Sequence, residues 1–398
     1  MKKLLKTGSL LLAIMLVLSA CSSGGSGSST APSPTAPSPA TPSSTASTPA
    51  PGGGTLKIGL LYELTGTGAS MGERHLEGAK LAVKEINASG SLNGMQIELI
   101  AEDDMTTNPG AINALEKILE SKPDAIIAPG FSTMLQAMAP RVKELGLPTV
   151  MGGSLIALTG GDNPDWMRIR ASDNISAKVM VDYVLNDLKY TKIAILHDSE
   201  AFGQGGANNV VAAMKELNLE PIYIDKYTTG SKDFTPQLLG AKNAGAQALI
   251  VFSPNSQDAA VILRQTKELD VSYDIIGSAA YGTVNTLDIA GTAAEGMRAV
   301  QEFNRDANDL TRKFADDYMA EYGKEPDHFS AWTYSSVYII ADAVKRAGST
   351  EAEAVKKALK ETSDFESALG TFSADANGDM MHAVRIIQIK DGETVVLR

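Results

Sequence analysis

The sequence predicts an α/β protein built from two doubly wound parallel sheets. Three observations carry this. Short apolar runs such as Leu56–Leu61, Asp124–Ala128 and Gln247–Phe252 alternate with stretches of helical spacing. The alternation restarts near residue 171. Glycine- and serine-bearing loops follow several of the strands, where open α/β sheets hold ligands.

The elements follow in order. Leu56–Leu61 reads as a buried strand, and Met71–Ile86 has apolar residues at helical spacing. Gln96–Ala101 is a strand, then 111–119 a helix with Asn108 as its N-cap and Pro109 in its first turn. Asp124–Ala128 is a strand, 132–145 a helix, and 148–151 and 167–170 are short strands. The second run has helices at 174–188, 204–217, 234–244 and 256–268, with strands at 192–196, 221–227, 247–252 and 273–276. Helices at 308–322, 331–347 and 350–361 come next, then strands near 369–372, 383–390 and 393–397, with Asn377-Gly378 a turn. This helix-rich block is expected to return to the first sheet, and the last strands to the second.

Composition narrows the function. The 398 residues carry 35 basic and 47 acidic side chains, a net charge of −12. A nucleic-acid partner is therefore not expected, because phosphate recognition needs a basic surface. One cysteine excludes a disulfide framework and multi-cysteine metal sites, and the four histidines have no zinc spacing. No cofactor and no metal are expected.

The first 54 residues read as address and tether. Lys2, Lys3 and Lys6 precede the apolar run Leu10–Leu18, which is too short to span a membrane. The lone cysteine stands in Leu18-Ser19-Ala20-Cys21. This resembles the lipobox of bacterial lipoproteins, which implies a signal peptide over 1–20 and a lipid anchor on Cys21; an ordinary secretory signal is the alternative. Residues 22–54 contain only Ser, Gly, Thr, Ala and Pro, so 21–54 is expected to be a disordered tether. Its reach is on the order of 100 Å at roughly 3.3 Å per residue.

Ordered strings in the rest resemble one family. They include Leu64-Thr65-Gly66, Glu85-Ile86-Asn87, Asn93-Gly94, Glu102-Asp103-Asp104, Ala139-Pro140, Phe202-Gly203, Asp233-Phe234 and Ala294-Glu295-Gly296. Together they look like the leucine/isoleucine/valine-binding type of ABC-transporter solute-binding protein. The resemblance implies a type I periplasmic-binding fold with three crossovers, near 171, 298 and 370. It implies one lobe over 55–171 plus 299–369, and another over 172–298 plus 370–398. It further implies a monomer outside the cell membrane, held by its lipid anchor, that hands a small ligand to an ABC permease and its ATPase. The expected ligand is an amino acid, branched-chain or related. An amide, a small organic acid or a sensing role are the alternatives.

Candidate ligand residues lie in loops that follow strands. Ser132 and Thr133 follow Asp124–Ala128, and Gly152, Gly153 and Ser154 follow the strand at 148–151. Hydroxyls, free backbone N–H groups and glycines that let a ligand approach make a carboxylate cradle; helix capping is the other role for both serines. The resemblance puts Ser132 where the family holds the ligand carboxylate, and Asp173 where it meets the ammonium. Tyr62, Glu63 and Met71 stand near the first strand–helix loop, and Tyr62 is expected to pack on the ligand. Asn255 and Ala279 depart from the aromatic and acidic residues common in the amino-acid receptors, and Tyr281 offers a ring face nearby. Trp166 and Trp332 read as packing. Gly68-Ala69-Ser70-Met71-Gly72 spells the G-x-S-x-G of serine hydrolases, but Ser70 stands nine residues beyond the strand. A cap of the helix is its other role, and the expectation is no enzyme.

Overall fold

A computed structural model describes residues 53–398, except Pro129, His382 and the side chain of Met381. The signal-peptide, Cys21 and tether expectations fall outside the described residues.

The first run is β1 (Thr55–Tyr62), α1 (Ala69–Ser89), β2 (Gln96–Asp103), α2 (Asn108–Glu120), β3 (Ala125–Ala128), α3 (Ser132–Leu145), β4 (Thr149–Met151) and β5 (Trp166–Arg168). These strands pair in parallel, in the order β2-β1-β3-β4-β5. Every residue of β3 is buried, as expected of a central parallel strand covered on both faces. The cap of α2 differs from expectation. Thr107, not Asn108, accepts the Gly110 N–H at 3.0 Å, which draws Asn108 into the helix ahead of Pro109.

The chain then forms α4 (Asp173–Asn186), β6 (Ile193–Asp198), α5 (Ala201–Glu216), β7 (Tyr223–Tyr227), α6 (Thr235–Asn243), β8 (Ala248–Phe252), α7 (Ser256–Glu268), β9 (Asp274–Gly277), α8 (Val284–Ala290) and β10 (Arg298–Gln301). After these come α9 (Asp309–Tyr322), α10 (His328–Ala347), α11 (Ala352–Lys360), β11 (Phe365–Ser367), β12 (Gly370–Ala374), β13 (Met380–Met381), β14 (Arg385–Lys390) and β15 (Glu393–Val396). The second sheet has the order β15-β14-β10-β9-β8-β6-β7. It is parallel except for the β14–β15 hairpin, which joins β10 antiparallel.

α10 packs on α1. A Cβ on Gly78 would lie 2.0 Å from the Ser330 carbonyl oxygen, so only glycine lets the two backbones meet. Phe314, Trp332, Val337, Phe372 and Met380 share one core with β1 and α1. β12 and β13 thus sit with the first sheet, tied by the Arg168 N–H to the Gly378 carbonyl at 2.8 Å. The last return to the second sheet therefore comes after Met381, later than the position near 370 that the sequence suggested. Gly378 takes φ +90 in the turn between β12 and β13, where glycine costs least. Among the described residues no helix is long and apolar enough to cross a membrane, and no group of three or more His, Cys, Asp or Glu is placed to hold a metal ion.

Candidate functional site

Strand order fixes where a ligand can sit. In the first sheet the order reverses between β1 and β3, and in the second between β6 and β8. Ligands of open α/β sheets bind beyond the carboxyl ends of the strands at such switch points. The loops that leave these four strands and their neighbours, with the start of α10, enclose two chambers. The inner one is about 20 Å³ and is lined by Met71, Gly130, Phe131, Arg170, Phe202, Ser253, Pro254, Ala279, Ala280, His328, Phe329 and Trp332. The outer one, about 250 Å³, has threonines 67, 106, 107, 133 and 229 in its wall, with Asn108, Met134 and Glu200. Phe131, Phe202 and Pro254 line both.

Two buried carboxylates brace the floor. Glu63, just past β1, accepts the Gly130 N–H at 2.9 Å and pairs with His75 Nδ1 at 2.9 Å. It thereby joins the loop after β1, the loop after β3 and helix α1. Gly72 is required here: a Cβ would lie 2.1 Å from the Glu63 carbonyl oxygen. Glu302, just past β10, pairs with the Arg170 guanidinium. It also accepts the Trp332 indole N–H at 3.2 Å and the Ala171 N–H at 3.3 Å. Arg170 lies over the Trp332 ring, 4.3 Å from its centre. Among the described residues its Nε and His328 Nε2 have no hydrogen-bond partner. Burial, then the neighbouring Arg170 and His75, hold the His328 pKa well below its ordinary value, so its imidazole is neutral.

The expected residues divide. Ser132 is buried and its hydroxyl accepts the Leu155 N–H at 3.3 Å, tying α3 to the loop after β4; Phe131 occupies the N-cap position. Thr133 lines the outer chamber and accepts the Ala201 N–H at 3.2 Å, so it caps α5 from across the crevice. Gly152 packs against Trp332, and Gly153 against Leu135 and Leu158, which would stand 2.3 and 2.7 Å from an added Cβ. The close approach that needs Gly153 is thus made by the protein's own side chains.

Asp173 and Ser154 sit together on the seam between the two sheets, the Asp173 N–H donating to the Ser154 carbonyl at 2.9 Å. Burial pushes the Asp173 carboxyl up to about 6, while the Ser154 hydroxyl, Arg170 and Arg168 hold it down. Its Oδ2 faces α5, 3.7 Å from where a Cβ on Gly205 would lie, and neither Asp173 nor Ser154 lines a chamber.

Three aromatic or polar residues expected at the ligand do not line either chamber. Tyr62 is buried in the first-sheet core and lines neither chamber. Tyr281 is fully buried in the second-sheet core, pressed on Gly277, where a Cβ would come within 2.1 Å of its ring. Asn255 is spent as the N-cap of α7, accepting the Asp258 N–H at 2.9 Å, while its neighbours Ser253 and Pro254 form the chamber wall. Ser70 falls in the first turn of α1, which Gly68 caps. Among the described residues no hydrogen bond joins it to a histidine.

Arg170, Phe131, Phe202, His328 and Phe329 were not named as ligand residues by sequence. Phe131 and Phe202 had a legible signal, since each follows a strand. Trp332, expected to pack, both packs and lines the inner chamber.

A crevice at the facing switch points of two parallel sheets, walled from both sides, is the architecture of a solute receptor. The chain belongs to the periplasmic binding protein family, whose sequence model matches residues 55–394. Members of that family capture solutes outside the cytoplasm for ABC transporters and are not enzymes. The chain is 28% identical over 352 residues to the Leu/Ile/Val-binding protein homolog 3 of Brucella melitensis, covering 86% of this chain and 93% of that one. It is 25% identical over 327 residues to the leucine-, isoleucine-, valine-, threonine- and alanine-binding protein of Pseudomonas aeruginosa, covering 82% and 87%. The branched-chain amino acid transporter substrate binding protein LivJ of Streptococcus pneumoniae, solved with isoleucine, matches with a TM-score of 0.79 at 25% identity, covering 86% and 99%.

Proposed function

We propose that this chain is the solute-binding lipoprotein of an ABC importer, and that it captures a small carboxylate-bearing solute between two lobes. The first lobe is 55–171 with 299–381, and the second is 172–298 with the final hairpin. The observation that carries the reading is that both chambers take their walls from both sheets. A ligand there contacts both lobes only when they close, which gives it differential affinity for the closed form. The permease then reads the closed form. Cleavage before Cys21 leaves a lipid on its sulfur, and the Pro/Ser/Thr tether lifts the receptor from the membrane. The relatives named for branched-chain amino acids support a carboxylate on the ligand.

The test is small-angle scattering and thermal melting of the full chain, unfolded and refolded to remove carried ligand, against amino acids, amides and organic acids. A true ligand contracts the particle and adds about 2.7 kcal/mol of stability at roughly 100 times Kd. A stabilising ligand that leaves the scattering profile unchanged would overturn capture by closure.

A further inference from the structure

We propose that the inner chamber receives the carboxylate of a flat, aromatic acid that carries no α-ammonium group, with Arg170 and His328 as the groups that hold it. This rests on the receptor reading above and names its ligand class.

The first argument is the state of the polar groups. Arg170 is 8% exposed and His328 3%, yet Arg170 Nε and His328 Nε2 have no hydrogen-bond partner among the described residues. An arginine Nε can only donate, so what is missing beside it is an acceptor. Burial keeps His328 neutral, and in the tautomer protonated at Nε2 it is a donor too. A carboxylate has two oxygens and can accept from both. Glu302 already occupies another edge of the guanidinium, and Trp332 covers its face, so the plane of Arg170 is fixed for recognition.

The second argument is the absence of a place for an ammonium. Among the described residues the second-sheet side gives the inner chamber only Phe202, Ser253, Pro254, Ala279 and Ala280, none of them charged. The nearby acids of the first-sheet side have roles already. Glu63 holds His75 and the Gly130 N–H. Glu302 holds Arg170, Ala171 and Trp332. Asp173 lines neither chamber, and Glu200 lines only the outer one and is exposed. An α-ammonium lies next to its own carboxylate and would be buried here without a counter-charge.

The third argument is shape. A chamber of about 20 Å³ accepts one head group, since a single water already needs about 10–15 Å³ of such space. The rest of the ligand runs past Phe131 and Phe202, which come from opposite sides of the crevice, into the 250 Å³ chamber. Two ring walls select a flat body.

Calorimetric titration of the refolded full chain with benzoate, phenylacetate, benzamide and leucine tests this, alongside the scattering measurement. The expected result is that benzoate or phenylacetate binds at least ~10-fold more tightly than benzamide or leucine. Arg170→Gln should weaken that acid at least ~10-fold, and Arg170→Lys should restore part of the loss. His328→Phe keeps a ring and leaves the Arg170–Glu302 pair in place; it should also weaken the acid, and it carries the test if the arginine variants do not fold. Leucine binding more tightly than either acid, or unchanged acid affinity in His328→Phe, would overturn the assignment while leaving the receptor reading standing. Binding of neither aromatic acid also overturns it. A solute that stabilises the chain without contracting it, or failure of the whole solute panel to close the lobes, counts against the receptor reading itself.

Discussion

Replacing Glu302 with glutamine should cost the crevice a large share of its stability. Glu302 is 1% exposed. One oxygen pairs with the Arg170 guanidinium, and the other accepts from the Trp332 indole at 3.2 Å and the Ala171 N–H at 3.3 Å. Glutamine keeps one acceptor oxygen, and its amide must point N–H groups at donors on the other side. Removing one partner of a buried ion pair costs about 3–5 kcal/mol, because the remaining charge stays buried. Arg170 keeps its place over the Trp332 ring, 4.3 Å from its centre, in both forms, and glutamine still offers one acceptor oxygen, which puts the loss at the low end of that range. The expected loss is therefore ~3 kcal/mol, read from equilibrium urea denaturation with an unchanged slope. In a chain of this length it lowers Tm by roughly 4 °C. Trp332→Phe deletes the donor that the glutamine leaves unpaired, so the double variant should lose less than the sum of the two single losses. A loss below ~1 kcal/mol, or strict additivity, would refute Glu302 as the shared acceptor that ties the two crossovers to α10.

Two further expectations concern the seam between the sheets. The Asp173 carboxyl is raised from 3.8 to about 6 in the folded protein, chiefly by burial. The folded state thus binds this proton more tightly than the unfolded chain, and the stability present below pH 3.8 is lost as pH rises through 6. Over that window the wild type should lose up to ~3 kcal/mol relative to Asp173→Asn, measured as the difference between their denaturation midpoints at pH 4 and 7.5; a difference independent of pH would sink the assignment. Thr133→Val removes the acceptor that caps α5 from across the crevice, worth about 1 kcal/mol. The ligand-free variant should scatter as a more open particle, and an unchanged profile would mean that this bond does not hold the lobes together.

Much of the fold was legible because its strands are short apolar runs bounded by caps and turns, and periodicity reads those directly. β10 was missed as a strand: Arg298–Gln301 is four residues with no alternation, and it becomes a strand only by lying between β9 and β14. The start of α10 shows what a small boundary error costs. Apolar spacing placed it at 331, whereas Asp327 and Ser330 form a capping box that starts the helix at His328. Those three residues include His328 and Phe329, which is why neither was read as a chamber residue. Tyr62, Tyr281 and Asn255 were expected at the ligand because they stand near strand ends. Position in a loop does not say whether a side chain turns into the crevice or back into the core, and for these three the core or a helix cap wins.

The separation of frame from lining explains how one fold can change its ligand. Glu63 braces two loops and α1 through His75 and the Gly130 N–H, and Arg168 ties the first sheet to the β12–β13 turn through Asp379 at 2.9 Å. These buried groups are committed to the protein, so altering them costs stability before it alters recognition. Ala279, Pro254, Phe202 and Phe131 have no such duty. They are wall side chains on loops whose backbone course is already set by strand order, and exchanging them changes the charge and shape met by a solute. Arg170 and His328 stand between the two groups, each buried by the frame and each with a nitrogen that the frame does not use. A nitrogen left unsatisfied in a closed crevice weakens that closed state, so the crevice closes most favourably around a solute that supplies the missing acceptor.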